Sequence, residues 1–167
     1  MSLPIPEWFT LEAQEVAGDS RLKGHYLNAA MSDEDFIAEI ERLIPIACTY
    51  VKSKTRESVG AFSFPLTLSQ FATAYPDETN TDQAQRRNEQ NTQASNAAKE
   101  RIIYDLYRML TGADNQQIAT GCKSAADDMI AALNGDISET VRALQANGNR
   151  NRKRWGMLSM GYTPDEL

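Results

Sequence analysis

Apolar residues recur at helical spacing along most of the chain, which predicts a mainly α-helical protein. The clearest pattern follows Ser32, with an apolar residue every three or four positions as far as Val51. Ser32 can act as an N-cap, and the acidic residues 33–35 suit the positive end of a helix dipole. Weaker patterns predict short helices over 4–17, 20–30 and 66–75. The expected core contains Phe36, Ile40, Ile44, Ile103, Leu106 and Leu110.

Proline and glycine divide this pattern into separate predicted helices. Pro45 lies inside the first strong helix and removes a backbone N–H donor, so we expect a kink or a break near Leu43. A helix that starts near Gly121 is expected to stop at Asn134-Gly135. Asp136 is then expected to cap a separate last helix.

The segment from Pro76 to Ala98 is different, because it contains no large apolar side chain. We expect it to be exposed, since it offers little apolar surface to bury. It fits a mobile loop, an arm laid over a neighbouring subunit, or the start of a long helix through Leu110. Neither glycine nor proline occurs between residues 77 and 111, and we therefore place the start of an ordered helix at about Thr92.

Length and composition indicate one domain. A chain of 167 residues can form one hydrophobic core, and 41% hydrophobic with 24% charged residues is typical of a globular protein. We predict one helical domain over residues 1–148, a small bundle that includes a long polar helix or arm. An extended basic tail over 149–167 follows it. No apolar run is long enough to cross a bilayer, and the first residues do not resemble a signal peptide, so no membrane contact is expected.

Positive charge is concentrated near the C-terminus, although the chain has a formal net charge of −6. This net charge argues against a protein whose whole surface coats nucleic acid. The basic cluster over residues 150–155 ends in the indole of Trp155. It can contact phosphate and bases, or anchor in a protein partner. It is equally typical of a solubilising end that complements the last helix dipole. The residues expected to contact a partner or nucleic acid are Arg86, Arg87, Arg150, Arg152, Lys153, Arg154 and Trp155.

The sequence shows no arrangement that predicts catalysis, a metal site or a cofactor. The one histidine, His25, is remote in sequence from any acidic or cysteine cluster. Cys48 and Cys122 form no metal-ligand spacing and are expected to be reduced core residues. Asp127 and Asp128 are neighbours that point in different directions on a helix, so exposure is expected. Phosphate-binding loops, dinucleotide fingerprints and nucleophile elbows are absent, which argues against an enzyme.

Three stretches resemble the small helical head-to-tail connector (adaptor) proteins of tailed double-stranded DNA phages. Residues 32–56 are similar to the first core helix of that family, 98–110 to the second, and 125–137 to the closing helix and turn. The resemblance implies a non-enzymatic virion protein, made in the host cytoplasm, that forms a homo-oligomeric ring. Its implied partners are other copies of itself and the portal and tail proteins, with DNA passing through the lumen.

Two other classes of function stay open from the sequence. One is a helical nucleic-acid-binding or nucleocapsid protein that uses the C-terminal basic cluster together with Arg86 and Arg87. Salt-dependent binding to DNA or RNA that depends on the tail cations distinguishes this class. The other is a regulatory or immunity-type protein that acts as a monomer, which the mass in solution distinguishes from a ring.

Overall fold

The computed structural model describes residues 8–22 and 31–159, with side chains as far as residue 150. The described residues form helices and connecting loops, without a strand. The predicted mainly helical class is therefore confirmed. The five helices are α1 (Ala13–Ala17), α2 (Asp33–Val59), α3 (Leu68–Ala74), α4 (Asn80–Tyr107) and α5 (Ala113–Ser159).

The three long helices α2, α4 and α5 form one bundle. Helices α4 and α5 are antiparallel, because Gln90 contacts Thr140 while Gln93, one turn further along, contacts Asp136. The turn between them uses Gly112, whose φ of 113° is in the region that favours glycine. Helix α2 packs on both, and the short α3 packs against α4 and α5.

The core of the bundle is formed by apolar side chains from all three long helices and from the N-terminal segment. Five of the six residues expected in the core are buried, and Leu110 is only half-buried because it lies in the turn after α4. Trp8 and Val16 bring the N-terminal segment into the same core. Both cysteines are buried and free, as predicted.

Helix α2 begins as predicted, since the Ser32 hydroxyl accepts a hydrogen bond from the Asp35 backbone N–H. The predicted break near Leu43 is wrong, because the helix continues over Pro45 to Val59. A proline inside a helix costs about 3 kcal/mol. Burial of each large apolar side chain stabilises the fold by about 1.5–3 kcal/mol. Helix α2 buries several such side chains on both sides of the proline, which offsets that cost.

Helix α4 begins twelve residues before Thr92, at Asn80. A capping box explains this start, because the Thr79 side chain accepts from the Asp82 backbone N–H while the Asp82 carboxylate accepts from that of Thr79. The segment 76–98 is therefore helical from residue 80 onward. The expectation that it is fully exposed was wrong. Its buried residues are Gln83, Gln90, Asn91, Ala94, Ser95, Ala97 and Ala98.

Helix α5 continues through Asn134-Gly135, so the predicted stop there and the separate cap at Asp136 are wrong. One buried apolar face runs across the glycine, formed by Ile130, Leu133 and Ile137. This burial outweighs the preference of Asn-Gly for a helix end. The helix also continues past residue 148, so residues 149–159 of the predicted extended tail have a helical backbone.

Arg21 fastens the N-terminal segment to α4 and α5. Its guanidinium donates to Asp19 at 2.9 Å and to both oxygens of Glu100 at 2.8 Å. It also lies 3.3 Å from the Cys122 sulfur, and its backbone carbonyl accepts from the Tyr107 hydroxyl. The guanidinium holds the pKa of Asp19 below its usual range, whereas burial raises the pKa of the Cys122 thiol to about 11.

We expect Arg21→Met to lower the free energy of unfolding by about 2 kcal/mol, because it leaves two carboxylates without their hydrogen-bonded cation. Chemical denaturation measures this loss. Arg142→Met is the matched control, since Arg142 is exposed on α5 and the same change there is expected to cost less than about 0.5 kcal/mol. Equal losses in both variants would show that the Arg21 contacts do not stabilise the fold.

The difference between the unaltered chain and Arg21→Met should depend on pH. Because the folded-state pKa of Asp19 is lowered, its stabilising contribution is complete above the unfolded pKa of about 4 and is lost as the pH falls below it. Denaturation at pH 7 and pH 3 should therefore show a gap that narrows at the lower pH.

A second prediction tests the continuity of α5. Gly135 is exposed and helical, and a Cβ there meets no atom within 4 Å. Gly135→Ala should therefore raise the free energy of unfolding by about 1 kcal/mol. Gly112→Ala is the control and should lower it by at least about 1 kcal/mol, because φ is positive at that position. A loss of stability in Gly135→Ala would mean that the helix ends there.

Candidate interaction surface around Arg86

The loop that joins α3 to α4 is held by both long helices at one end of the bundle. From α4, the Gln83 amide donates to the backbone carbonyls of Tyr75 at 2.9 Å and Glu78 at 3.1 Å. From α5, the Asn147 amide donates to the carbonyl of Ala74 at 2.8 Å. These three bonds hold residues 74–78 in place, and Arg86 lies on the surface that residues 75–78 form.

Arg86 is bound to this loop by an ion pair and a ring contact. Its guanidinium donates to both carboxylate oxygens of Glu78, at distances between 2.6 and 2.9 Å. The same group lies 4.3 Å from the centre of the Tyr75 ring. Hydrogen bonding to Glu78 raises the pKa of Arg86. The charge of this predicted contact residue is therefore largely compensated within the chain.

A small groove between α4 and α5 lies beside Arg86, with a volume of about 130 Å³. We name it the α4–α5 groove, and it is lined by Tyr75, Arg86, Glu89, Gln90, Asp136, Glu139 and Thr140. Glu89 and Asp136 accept hydrogen bonds from the neutral amides of Gln85 and Gln93. Among the described residues, no cation forms an ion pair with Glu89, Asp136 or Glu139. The groove is therefore acidic.

Gln90 lines the groove and has one unsatisfied atom. Its amide nitrogen donates to the Thr140 hydroxyl at 3.1 Å. That hydroxyl donates to the Asp136 carbonyl and lies 3.2 Å from the Tyr75 hydroxyl. Gln90 is only 6% exposed. Its buried side-chain oxygen has no hydrogen-bond partner within the described part of the chain. An N–H donor is the partner that this oxygen lacks.

A larger cavity of about 730 Å³ is lined by the same loop together with α3 and the end of α5. Its lining includes Tyr75, Glu78, Asn147 and Arg150. Arg150 is exposed there. Arg86 contacts Tyr75 and Glu78, and both of these residues also line this cavity with Arg150, which is 64 positions from Arg86 in the sequence.

The five remaining predicted contact residues lie on α4 and near the end of α5. Arg87 is half-buried, and its Nε atom has no hydrogen-bond partner in the ranges that the structure describes. Arg152, Lys153, Arg154 and Trp155 lie in α5, where only the backbone is described. His25 lies outside the described residues. A role for Arg87 and for residues 152–155 in binding stays a prediction.

The outer face of α4 carries a row of uncharged polar residues. Thr81, Gln85, Asn88, Thr92 and Asn96 are all exposed. Their spacing of three or four residues places them on one side of the helix, over a length of about 22 Å. We name this row the α4 stripe. The Gln85 amide donates to Glu89 and thereby connects the stripe to the edge of the α4–α5 groove.

A cluster of cations and aromatic rings connects the three long helices elsewhere. Arg101 of α4 lies 4.3 Å from the ring centre of Tyr50 and 4.8 Å from that of Tyr104. The Tyr50 hydroxyl donates to Asp127 of α5 at 2.9 Å. Both Asp127 and Asp128 are exposed, as predicted. Because each ring and charge in this cluster has a partner, it stabilises the bundle.

Within the described ranges, no group of three or more histidine, cysteine, aspartate or glutamate residues could hold a metal ion. None of the helices, over those same ranges, is long and apolar enough to span a membrane. Comparison of the chain with protein-family models, with curated proteins and with solved structures found no match.

Thr140→Val should lower the free energy of unfolding by about 1–3 kcal/mol, because it removes the shared partner of Gln90 and Tyr75. Thr120→Val is the matched control. Thr120 makes the same hydroxyl bond to a carbonyl four residues earlier, at 2.8 Å, but is exposed. Denaturation of the two variants separates the buried network from the local helix effect. If both variants lose the same small amount, the network contributes nothing.

Proposed function

We propose that this chain is a non-enzymatic structural protein that assembles with copies of itself and uses the outer face of α4 as a contact surface. The observation that carries the proposal is the α4 stripe. Exposed faces of soluble helices are usually rich in charge, as α2 illustrates with Glu41, Lys52 and Arg56. The α4 stripe instead carries only threonine, glutamine and asparagine side chains.

Uncharged amides and hydroxyls suit a surface that becomes buried in an assembly. They can exchange hydrogen bonds with water for hydrogen bonds with a neighbour at a smaller desolvation cost than charged groups. The stripe also repeats with alternating steps of four and three residues over Thr81 to Thr92, which is the spacing of residues that face another helix in coiled-coil packing. A helix of a neighbouring copy is therefore a suitable partner.

The resemblance to phage head-to-tail connectors supplies the specific form of this proposal. In that form, the assembly is a ring that docks on a portal, contacts tail proteins and lets DNA pass through its lumen. The stretches that carry the resemblance lie on α2, α4 and α5, and these helices pack together as one bundle. This arrangement supports the proposal, because a rigid bundle can serve as the repeating unit of a ring.

The nucleic-acid-binding alternative depends on the C-terminal cations. Arg86 is bound to Glu78 and lies beside three further carboxylates in the α4–α5 groove, which disfavours phosphate contact at this position. Arg150 is exposed and keeps the alternative open. Binding to duplex DNA that weakens as salt rises, and that is lost when the cations of 150–154 are replaced by alanine, would favour the alternative.

The proposed assembly is tested by absolute mass in solution together with electron microscopy. We expect particles that contain several copies of the 18.6 kDa chain, with a closed ring as the specific form. Asn88→Lys combined with Thr92→Lys should weaken the assembly at least about 10-fold, because two added charges would have to be desolvated at the contact.

Thr120→Lys combined with Ser124→Lys is the matched control, since both residues are exposed on α5 with the same spacing. This variant should assemble like the unaltered chain. A monomer at every concentration would contradict the proposal, and so would an unchanged assembly of the Asn88 and Thr92 variant.

A further inference from the structure

We propose that the α4–α5 groove is the receptor for the basic segment 150–154 of a second copy of this chain. The inference rests on the proposed self-assembly and names the two surfaces that meet in it. One copy contributes the groove beside the α4 stripe, and its neighbour contributes the end of α5.

The groove has the chemistry of a site for a cation that donates hydrogen bonds. Glu89, Asp136 and Glu139 provide three carboxylates that have no ion pair among the described residues, and the Arg86 guanidinium, which the charge of Glu139 also influences, is bound to Glu78. The buried oxygen of Gln90 needs a donor. A guanidinium or ammonium group satisfies both requirements, because it brings positive charge and several N–H donors.

The chain itself contains a segment with the complementary charge. Residues 150–154 include Arg150, Arg152, Lys153 and Arg154, without an acidic residue between them. A groove of about 130 Å³ accommodates the head of one such side chain rather than the whole segment. The other cations of the segment would then meet Glu89 and Glu139 at the exposed rim.

The segment cannot occupy the groove of its own chain. Residues 150–154 follow Asp136 and Glu139 along one continuous helix that extends to Ser159. At about 1.5 Å per residue, they lie about 16 to 27 Å further along the helix axis. The segment can therefore reach only the groove of another copy. Because groove and segment are different surfaces, the contact is head-to-tail, and such contacts form a ring where the rotation closes and a filament where it does not.

A charge exchange tests this contact. The groove variant carries Glu89→Lys and Glu139→Lys. The segment variant carries Arg150→Glu, Arg152→Glu, Lys153→Glu and Arg154→Glu. Each variant alone should associate at least about 10-fold more weakly than the unaltered chain, because its groove and its segment then have the same sign of charge. An equimolar mixture should regain the assembly, since each groove then meets a segment of opposite charge.

Glu41→Lys combined with Glu57→Lys is the control, because both residues are exposed on α2 and the change in net charge is the same as in the groove variant. It should assemble normally. Assembly that is unchanged in the groove variant, or that is not regained in the mixture, would overturn the docking proposal. If the groove variant assembles normally while the Asn88 and Thr92 variant loses the assembly, the docking proposal fails but the proposed function stands.

A labelled synthetic peptide of residues 147–158 tests the groove without any need for assembly. We expect it to bind the full-length chain with an affinity that falls as salt rises, and to bind the groove variant at least about 10-fold more weakly. Gln90→Met should also weaken binding by roughly 10-fold, because it removes the buried acceptor. Equal binding to the unaltered chain and the groove variant would overturn the docking proposal.

Discussion

Helices α4 and α5 pack against each other by two different kinds of contact, and the other elements are positioned by this pair. Near the turn at Gly112, the contact is apolar and includes Ile102, Leu106 and Ile130, and α2 completes this part of the core. At the opposite end it also includes polar pairs, with Gln90 bonded to Thr140 and Gln93 to Asp136. Helix α3 and the loop that follows it pack on the polar end. Buried apolar residues such as Ile137 and Val141 continue to this end, so the polar contacts border the core there and form the groove.

The polar end explains why a candidate binding site lies there. An apolar contact excludes water without further requirements, whereas each buried amide needs a partner for both its donor and its acceptor atoms. Gln83 obtains its partners from the loop backbone, while Gln90 keeps one buried oxygen unsatisfied. An unsatisfied buried atom costs about 1–3 kcal/mol. A ligand that donates to it therefore gains affinity, and the surrounding carboxylates select a cationic ligand.

The sequence predicted the helical class, the start of α2, the apolar core and the state of both cysteines, because these follow from local periodicity and burial. It did not predict the continuity of α5, since the short-range signal of Asn134-Gly135 is overridden by Leu133 and Ile137 packing on the same side of the helix. It also missed the early start of α4. The capping pair Thr79 and Asp82 was a readable signal for that start.

The candidate site was only partly predictable. Arg86 and Arg150 were selected for their charge, and the structure places both beside the loop of residues 75–78. Gln90 and Thr140 were missed, because residues 50 positions apart in sequence show no spacing that would connect them. The ion pair of Arg86 with Glu78 joins the second turn of α4 to the loop just before it, and this local pair was also missed.

Cysteine cross-linking between two copies tests the central claim most directly, since both native cysteines are buried. One tagged copy carries Glu139→Cys, and a differently tagged copy carries Lys153→Cys. If the end of α5 in one copy occupies the α4–α5 groove of the next, mild oxidation should link the two tags in one covalent dimer. A control copy with Glu41→Cys in place of Glu139→Cys should not link. Absence of the mixed dimer in an assembled sample, or an equal yield from the control, would contradict the claim.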